Sequence, residues 1–269
     1  MGNLLTAGLR RMVKSRAFLL ALLAELAYTA LVVLVCWDHY AANTGSYTIE
    51  SVLTAGFGLM GYLSVPSLIA APLLCVHLGT EYSENTLRNK LIVGHTRPAV
   101  YLADLLSCAI AALGLDLLYM LLAGALCVYP VLGMTGRLLT ASPGQLLAWI
   151  AAGLLARAAW ASVVTLTATV LGSRTSAAVA GLLLAVGASL VCSFGFHELE
   201  YLSRHLDAAN REIRLALWQL ILDALPTGQY LQVSRLDTPN LWRLPLLSLA
   251  VAAGSTGIGA ALFQRKDLR

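Results

Sequence analysis

Charge is what this sequence has least of. Only 12% of its 269 residues are Asp, Glu, Lys or Arg, about half the roughly 25% of average soluble domains, and this excludes an ordinary soluble globular fold. Lysine is rarer still: of 18 basic residues only Lys14, Lys90 and Lys266 are lysines. None of them sits in a G-x-x-x-x-G-K-[ST] context, so the chain has no phosphate loop, and any ATP it works with is bound by another polypeptide. The cysteines lack metal-ligand or redox spacing. Cys36, Cys75, Cys108, Cys127 and Cys192 stand singly in apolar runs and read as small buried residues, and Val35 before Cys36 argues against a lipoprotein cleavage site. His197-Glu198 opens like a zinc-protease motif, but Tyr201 occupies the place of the second histidine and His205 is too far along. No G-x-S-x-G elbow is present. Sequence thus predicts no catalytic residue, metal site or cofactor in this chain. The net charge of +4 gathers on no single face, which speaks against a nucleic-acid partner.

What is abundant is apolar length. Apolar residues make up 58% of the chain, at a mean hydropathy of +0.75. Six runs reach the roughly 20 residues that a helix needs to cross a hydrocarbon core: residues 17–36, 54–78, 102–128, 145–171, 177–196 and 244–263. They are far too long for barrel strands of about 9–11 residues. The expectation is therefore an all-α, six-span membrane protein forming a single transmembrane unit over residues 1–269. The first run exceeds the core of a cleaved signal and reads as a retained span. With both termini in the cytoplasm, eleven basic residues fall on the inner side and six on the outer, the bias of a multi-pass plasma-membrane protein.

Before the first span, Leu5, Leu9, Met12 and Val13 share one helical face, with Arg10, Arg11 and Lys14 opposite. This predicts a short helix in the interface, its basic face toward anionic headgroups; the plainer reading is a flank that sets topology. In the outer segment, residues 197–243, Leu199, Leu202, Leu206, Ala209, Ile213, Leu217 and Leu220 recur at helical spacing, predicting an amphipathic helix. It turns largely apolar at Leu215–Leu225 and is expected to stop at Pro226-Thr227-Gly228, a shape suited to a re-entrant helix. The small residues from Gly254 to Ala261 allow close helix approach, within the chain or against a second copy. Glu25, Asp116 and Arg157 lie inside spans, where each charge costs at least ~2.5–3.5 kcal/mol and needs a partner or a watery cavity. Asp116 and Arg157 sit near the middles of antiparallel spans and are expected to pair, while Glu25 has no evident partner and could line a path or face a second subunit.

The polar stretch from Gly79 to Tyr101 has its own grammar. Glu81, Glu84 and Arg88, spaced by three and four, are expected to share one face of a short helix, which Gly94 ends before Pro98 opens the next. A kinked second span followed by Glu81-Tyr82-Ser83-Glu84-Asn85-Thr86-Leu87-Arg88-Asn89-Lys90-Leu91, then Gly94, Arg97 and Tyr101-Leu102, resembles the permease subunits of type-2 ABC exporters. The basic N-terminal helix, the outer Leu225–Gln229 and the ending Phe263–Leu268 extend the likeness over the whole chain. The resemblance implies that the helix at Glu81–Lys90 docks on an ATPase. It also implies two ATP-binding subunits per complex, carrying the ATP and Mg, and a second permease copy or related chain. The cargo would be a hydrophobic or amphipathic molecule such as a peptide antibiotic, a drug or a lipid-linked compound. Asp116 and Arg157 belong to no pattern of that class. The rival expectations are an ion-coupled transporter or channel using Glu25, Asp116 and Arg157, a membrane-embedded enzyme, and an immunity protein.

Overall fold

The computed structural model describes residues 2–44, 47–58, 63–84, 86–137, 139–205, 210–236, 238 and 241–266, the Pro66 side chain excepted. Asn85, Leu206, Ala209 and the tail residues Asp267, Leu268 and Arg269 fall outside them. Among the described residues the chain is a bundle of eleven helices. They are α1 (Gly2–Val13), α2 (Arg16–Ala41), α3 (Ile49–Thr54), α4 (Val65–Ser83), α5 (Thr86–Ile92), α6 (Arg97–Thr135), α7 (Pro143–Leu171), α8 (Arg174–Arg204), α9 (Arg211–Ala224), α10 (Pro226–Ser234) and α11 (Arg243–Arg265). Five of these, α2, α6, α7, α8 and α11, are long and apolar enough to cross a membrane. Their outer faces carry exposed leucines such as Leu20, Leu34, Leu121, Leu183, Leu190 and Leu246, an apolar surface that a soluble protein would not leave in water.

The helix ends follow from local chemistry. Ser15, Ser142 and Ser173 accept backbone N–H groups at the starts of α2, α7 and α8. Gly136 and Gly172 take left-handed conformations (φ 66° and 63°) just past α6 and α7. The α7–α8 link is therefore only Gly172-Ser173, one residue ending a helix and the next capping its successor.

Helix α7 is the hub. Some 56% of its apolar window is buried against protein, against 28% for α2 and α8 and 22% for α11. Its buried positions include Ala152, Gly153, Ala156, Ala159, Ala161 and Ala168, small residues that let neighbouring backbones close in where lipid offers no hydrophobic drive. Ser162 and Ser255 hydrogen-bond at 2.6 Å across the α7–α11 seam. At the end where α4 meets α8, a Cβ on Gly79 would come within 2.7 Å of Arg174 Cα and 2.9 Å of Ser173 O. That close approach to backbone admits only glycine.

The expected second span, residues 54–78, is not one helix. The short α3 ends at Thr54, a turn runs to Phe57, and α4 starts at Val65 with Pro66 in its first turn. The backbone carbonyls released by the break are taken by tyrosines. Tyr119 Oη donates to Val52 O at 2.8 Å and Tyr28 Oη to Ala55 O at 2.6 Å, while Ser64 Oγ donates to Phe57 O at 3.3 Å. Irregular backbone at this depth persists only where protein satisfies it. Hydropathy reads through the break because its residues are as apolar as the helices beside them.

The segment over residues 197–243 also differs in part from expectation. α8 continues past its apolar run to Arg204, carrying Leu199 and Leu202 with it. α9 carries Ile213, Leu217 and Leu220 on a face that points away from the protein, as an amphipathic helix lying on lipid would. α9 ends at Ala224, just before Pro226, as expected; what was not expected is that Pro226 opens a further helix, α10, since proline at a first helical position loses no hydrogen bond. Every residue from Pro226 to Val233 is buried.

Glu50 on α3 holds this end together. Its Oε1 accepts from Thr140 N at 2.6 Å and Ala141 N at 2.7 Å. Burial alone would raise its carboxyl, but the N–H of Ala141, its own N–H, that of Thr140 and the Thr48 side chain outweigh burial and hold it below the usual glutamate range. Such a group stabilises above its unfolded value and loses the contribution as pH falls through the folded one. Glu50→Gln is therefore expected to lower the melting temperature in detergent at pH 7, with the gap to wild type closing below about pH 4. A gap that stays constant across that range would show that the ionised form is not what holds the loop.

Candidate functional site

Two polar centres stand out. The first lies at the end of the bundle where α2, α6 and α8 start and α4, α7 and α11 finish. Glu81, in the last turn of α4, is only 1% exposed. Its Oε1 accepts from Arg11 of α1 at 3.0 Å and its Oε2 from Lys90 of α5 at 2.6 Å, and His77 Nε2 lies 3.9 Å away. Lys90 also reaches Asp104 of α6 at 2.7 Å. Burial works against the Lys90 charge, but the Asp104 and Glu81 carboxylates outweigh it and raise the ammonium above the ordinary lysine value. One buried carboxylate thus ties α1, α4 and α5 together, and Lys90 adds α6.

This corrects the expected shared face. Glu81 belongs to α4 and points inward, Glu84 caps that helix, and Arg88 lies on the separate α5. The helix ends at Glu84 because Thr86 Oγ1 donates to Glu81 O at 3.1 Å, closing the turn. It also corrects the amphipathic reading of α1. Leu4, Gly8 and Met12 form its buried stripe against α6, while Leu5 and Leu9 are half-buried and Val13 is exposed. Arg10 and Lys14 remain exposed, and Arg11 turns in to Glu81.

α5 is an elbow with an anchored root and a free tip. Leu87 is buried with Leu4, Val100, Tyr101 and Phe263, and Tyr82 meets Phe263 edge-on at 6.4 Å. Arg88 and Asn89 are exposed, and Ile92 and Val93 are 72% and 77% exposed at the end of the elbow. Gly94 follows at φ 99°, a reversal that a side chain would resist. Two cations finish neighbouring helices. Arg97 Nη1 donates to Gln264 O at 2.7 Å in the last turn of α11 and to Lys266 O at 2.8 Å just past it, and Lys266 Nζ donates to Thr169 O at 2.5 Å at the end of α7. Sequence reasoning placed Arg97 and Lys266 on the basic side and within the resembling motifs, but foresaw neither of these bonds.

The second centre is inside the bundle. Arg157 of α7 and Asp116 of α6, 1% and 0% exposed, form a two-point pair: Nε donates to Oδ2 at 2.6 Å and Nη2 donates to Oδ1. The Tyr230 ring of α10 lies over the guanidinium at 5.1 Å, a favourable cation–π contact in a desolvated place. Glu25 of α2 is buried within electrostatic reach of the pair. Its Oε1 and the Nη1 of Arg157 have no hydrogen-bond partner among the described residues. The structure therefore joins two of the three charges that the sequence singled out and sets the third beside them. Tyr230 was missed, since a tyrosine past a Pro-Thr-Gly turn reads as loop.

Comparison with known proteins adds no assignment: no protein-family model matches the chain, and no curated protein matches it in sequence.

Proposed function

We propose that this chain is the permease subunit of an ATP-driven exporter of the type-2 ABC class. In this reading it crosses the membrane six times with α4 as the additional crossing, both termini are cytoplasmic, and α1 rests in the interface. The 19 residues of α4 span about 28 Å at 1.5 Å per residue, close to a hydrocarbon core of about 30 Å. The observation that carries the reading is the elbow. A rigidly rooted helix presents Ile92, Val93 and Arg88 on the basic side, in a chain with no phosphate loop. An exposed apolar tip rimmed by polar residues marks a protein contact. A partner ATPase that changes shape with nucleotide would press on this tip, and the Glu81 and Lys90 bonds would pass the motion to α4 and α6. α9, with its apolar face outward, and the buried α10 would form the outer, partly re-entrant cover.

The test is mild purification of the complex with its ATP-hydrolysing subunit. Ile92→Asp with Val93→Asp, and separately Arg88→Ala, are expected to cut co-purifying ATPase about tenfold or more while leaving the melting temperature of the permease unchanged. Full transport by the purified single chain with no ATPase bound would overturn the reading. Glu25 favours a second reading, an ion-coupled transporter. In that case transport would follow an imposed ion gradient without ATP and would vanish in Glu25→Gln.

A further inference from the structure

Next to the Glu81 centre, α1, the start of α2, the end of α4 and the start of α8 enclose a pocket of about 390 Å³. Four cationic side chains line it, Arg11, Lys14, Arg16 and Arg174, against two carboxylates, Glu81 and Glu84, and His77. Glu81 is already engaged by Arg11 and Lys90. Among the described residues no carboxylate pairs with Lys14, Arg16 or Arg174. Two long helices also begin here, α2 at Ser15 and α8 at Ser173, and each brings the positive end of its dipole to the pocket. Like charges gathered in this way repel one another and favour an anion between them.

The pocket adjoins a groove of about 340 Å³ between α2 and α4, and Ala17 and Val76 line both. The groove is almost wholly apolar. Its walls run from Ala17 through Ala21 to Ala24 on α2 and from Val76 through Pro72 to Leu68 on α4, about 10–12 Å along the helix axes. The alanines on α2 leave the space, and exposed Leu20 forms its lip. A basic chamber of headgroup size that adjoins an apolar channel along membrane helices matches an amphiphile, not a free ion.

We infer that this composite cavity binds one anionic phospholipid, its phosphate headgroup among Lys14, Arg16 and Arg174 and one acyl chain along the α2–α4 groove. The inference rests on α2 and α4 lying in a membrane and does not require the ATPase partner. Basic pockets between membrane helices on the positively charged side recognise such headgroups. The occupant is retained lipid, held where the elbow's brace, Glu81, forms one wall.

The experiment uses the full chain in detergent. Native mass spectrometry follows titration with dioleoyl phosphatidylglycerol, dioleoyl phosphatidylcholine or inorganic phosphate. One phosphatidylglycerol per chain is expected to bind in preference to phosphatidylcholine. Lys14→Gln with Arg174→Gln is expected to weaken it about 25-fold, at roughly fivefold per basic residue near a lipid surface, with Arg11 left on Glu81. Ala24→Phe, which fills the groove from its open side, is expected to weaken phosphatidylglycerol while Leu183→Phe on the lipid-facing side of α8 does not. Unchanged binding in both cavity variants would overturn the site, and so would equal occupancy by inorganic phosphate that Ala24→Phe leaves untouched, which would assign a free anion. Should the variants misfold, a phosphatidylglycerol with a photoreactive acyl chain on the wild-type protein decides. Labelling of residues 17–24 and 68–76 is expected, and labelling only elsewhere refutes the inference. ATPase co-purification is scored on the same samples, so loss of lipid with retained ATPase separates this site from the proposed coupling.

Discussion

Arg157→Gln and Asp116→Asn are each expected to abolish most folded, detergent-extractable protein. Each change leaves one ion of a fully buried pair without its counter-charge, a loss of about 3–5 kcal/mol against a total stability on the order of 5–15 kcal/mol. The two differ in what remains. Without Arg157 the Asp116 carboxyl can take up a proton and become neutral, whereas the guanidinium left by Asp116→Asn stays charged, with the Tyr230 ring 5.1 Å away. The double neutral variant and the charge swap should each recover part of the yield, because the pair's desolvation cost disappears or its attraction returns. Monodispersity on size exclusion and the melting temperature in detergent measure all four. Wild-type values for both single variants would mean that the pair contributes nothing to assembly.

Glu81→Gln is expected to have the second largest effect. It removes the charge that holds Arg11 and Lys90; each bond to a charged group contributes about 1.5–3 kcal/mol. Lys90 retains Asp104, so α5 loosens in part while α1 loses its only ion pair among the described residues. Trypsin should then cut faster after Arg10, Arg11 and Lys14, with a smaller increase after Arg88 and Lys90. Arg11→Gln should reproduce the first change without the second. If the cutting pattern of Glu81→Gln matches wild type, the buried carboxylate is not what fastens α1.

These two residues also mark how far the sequence could be read. The Asp116–Arg157 contact was legible because two charges near the middles of consecutive antiparallel helices have few places to go. Helix boundaries were legible where Gly and Pro punctuate the polar stretch, as at Gly94 past α5 and Pro98 in the first turn of α6. Glu81 was misread, because its direction depends on α4 ending at Glu84, and that ending depends on Thr86 bonding back to a carbonyl. The break in the second span was hidden for a different reason. Its freed carbonyls are satisfied by Tyr28 and Tyr119, whose hydroxyls reach it from α2 and α6, and no local pattern announces a partner so distant along the chain. α10 was lost likewise, since Pro226 opens a helix only because α7, α8 and α9 already wall the place it enters.

The grip of Arg97 on the carbonyls at the end of α11 gives the elbow's far side a mechanical meaning. The residue that begins α6 is also fastened to the end of the chain, and Lys266 from that end is fastened to α7. A load applied at Ile92 and Val93 would therefore not bend α6 alone. It would be shared by a truss of three helices, α6, α11 and α7, joined at their tips by two cations. Two members of that truss, α6 and α7, carry Asp116 and Arg157 farther along their length, so the Arg97–Lys266 joint and the buried pair are fixed points of one frame.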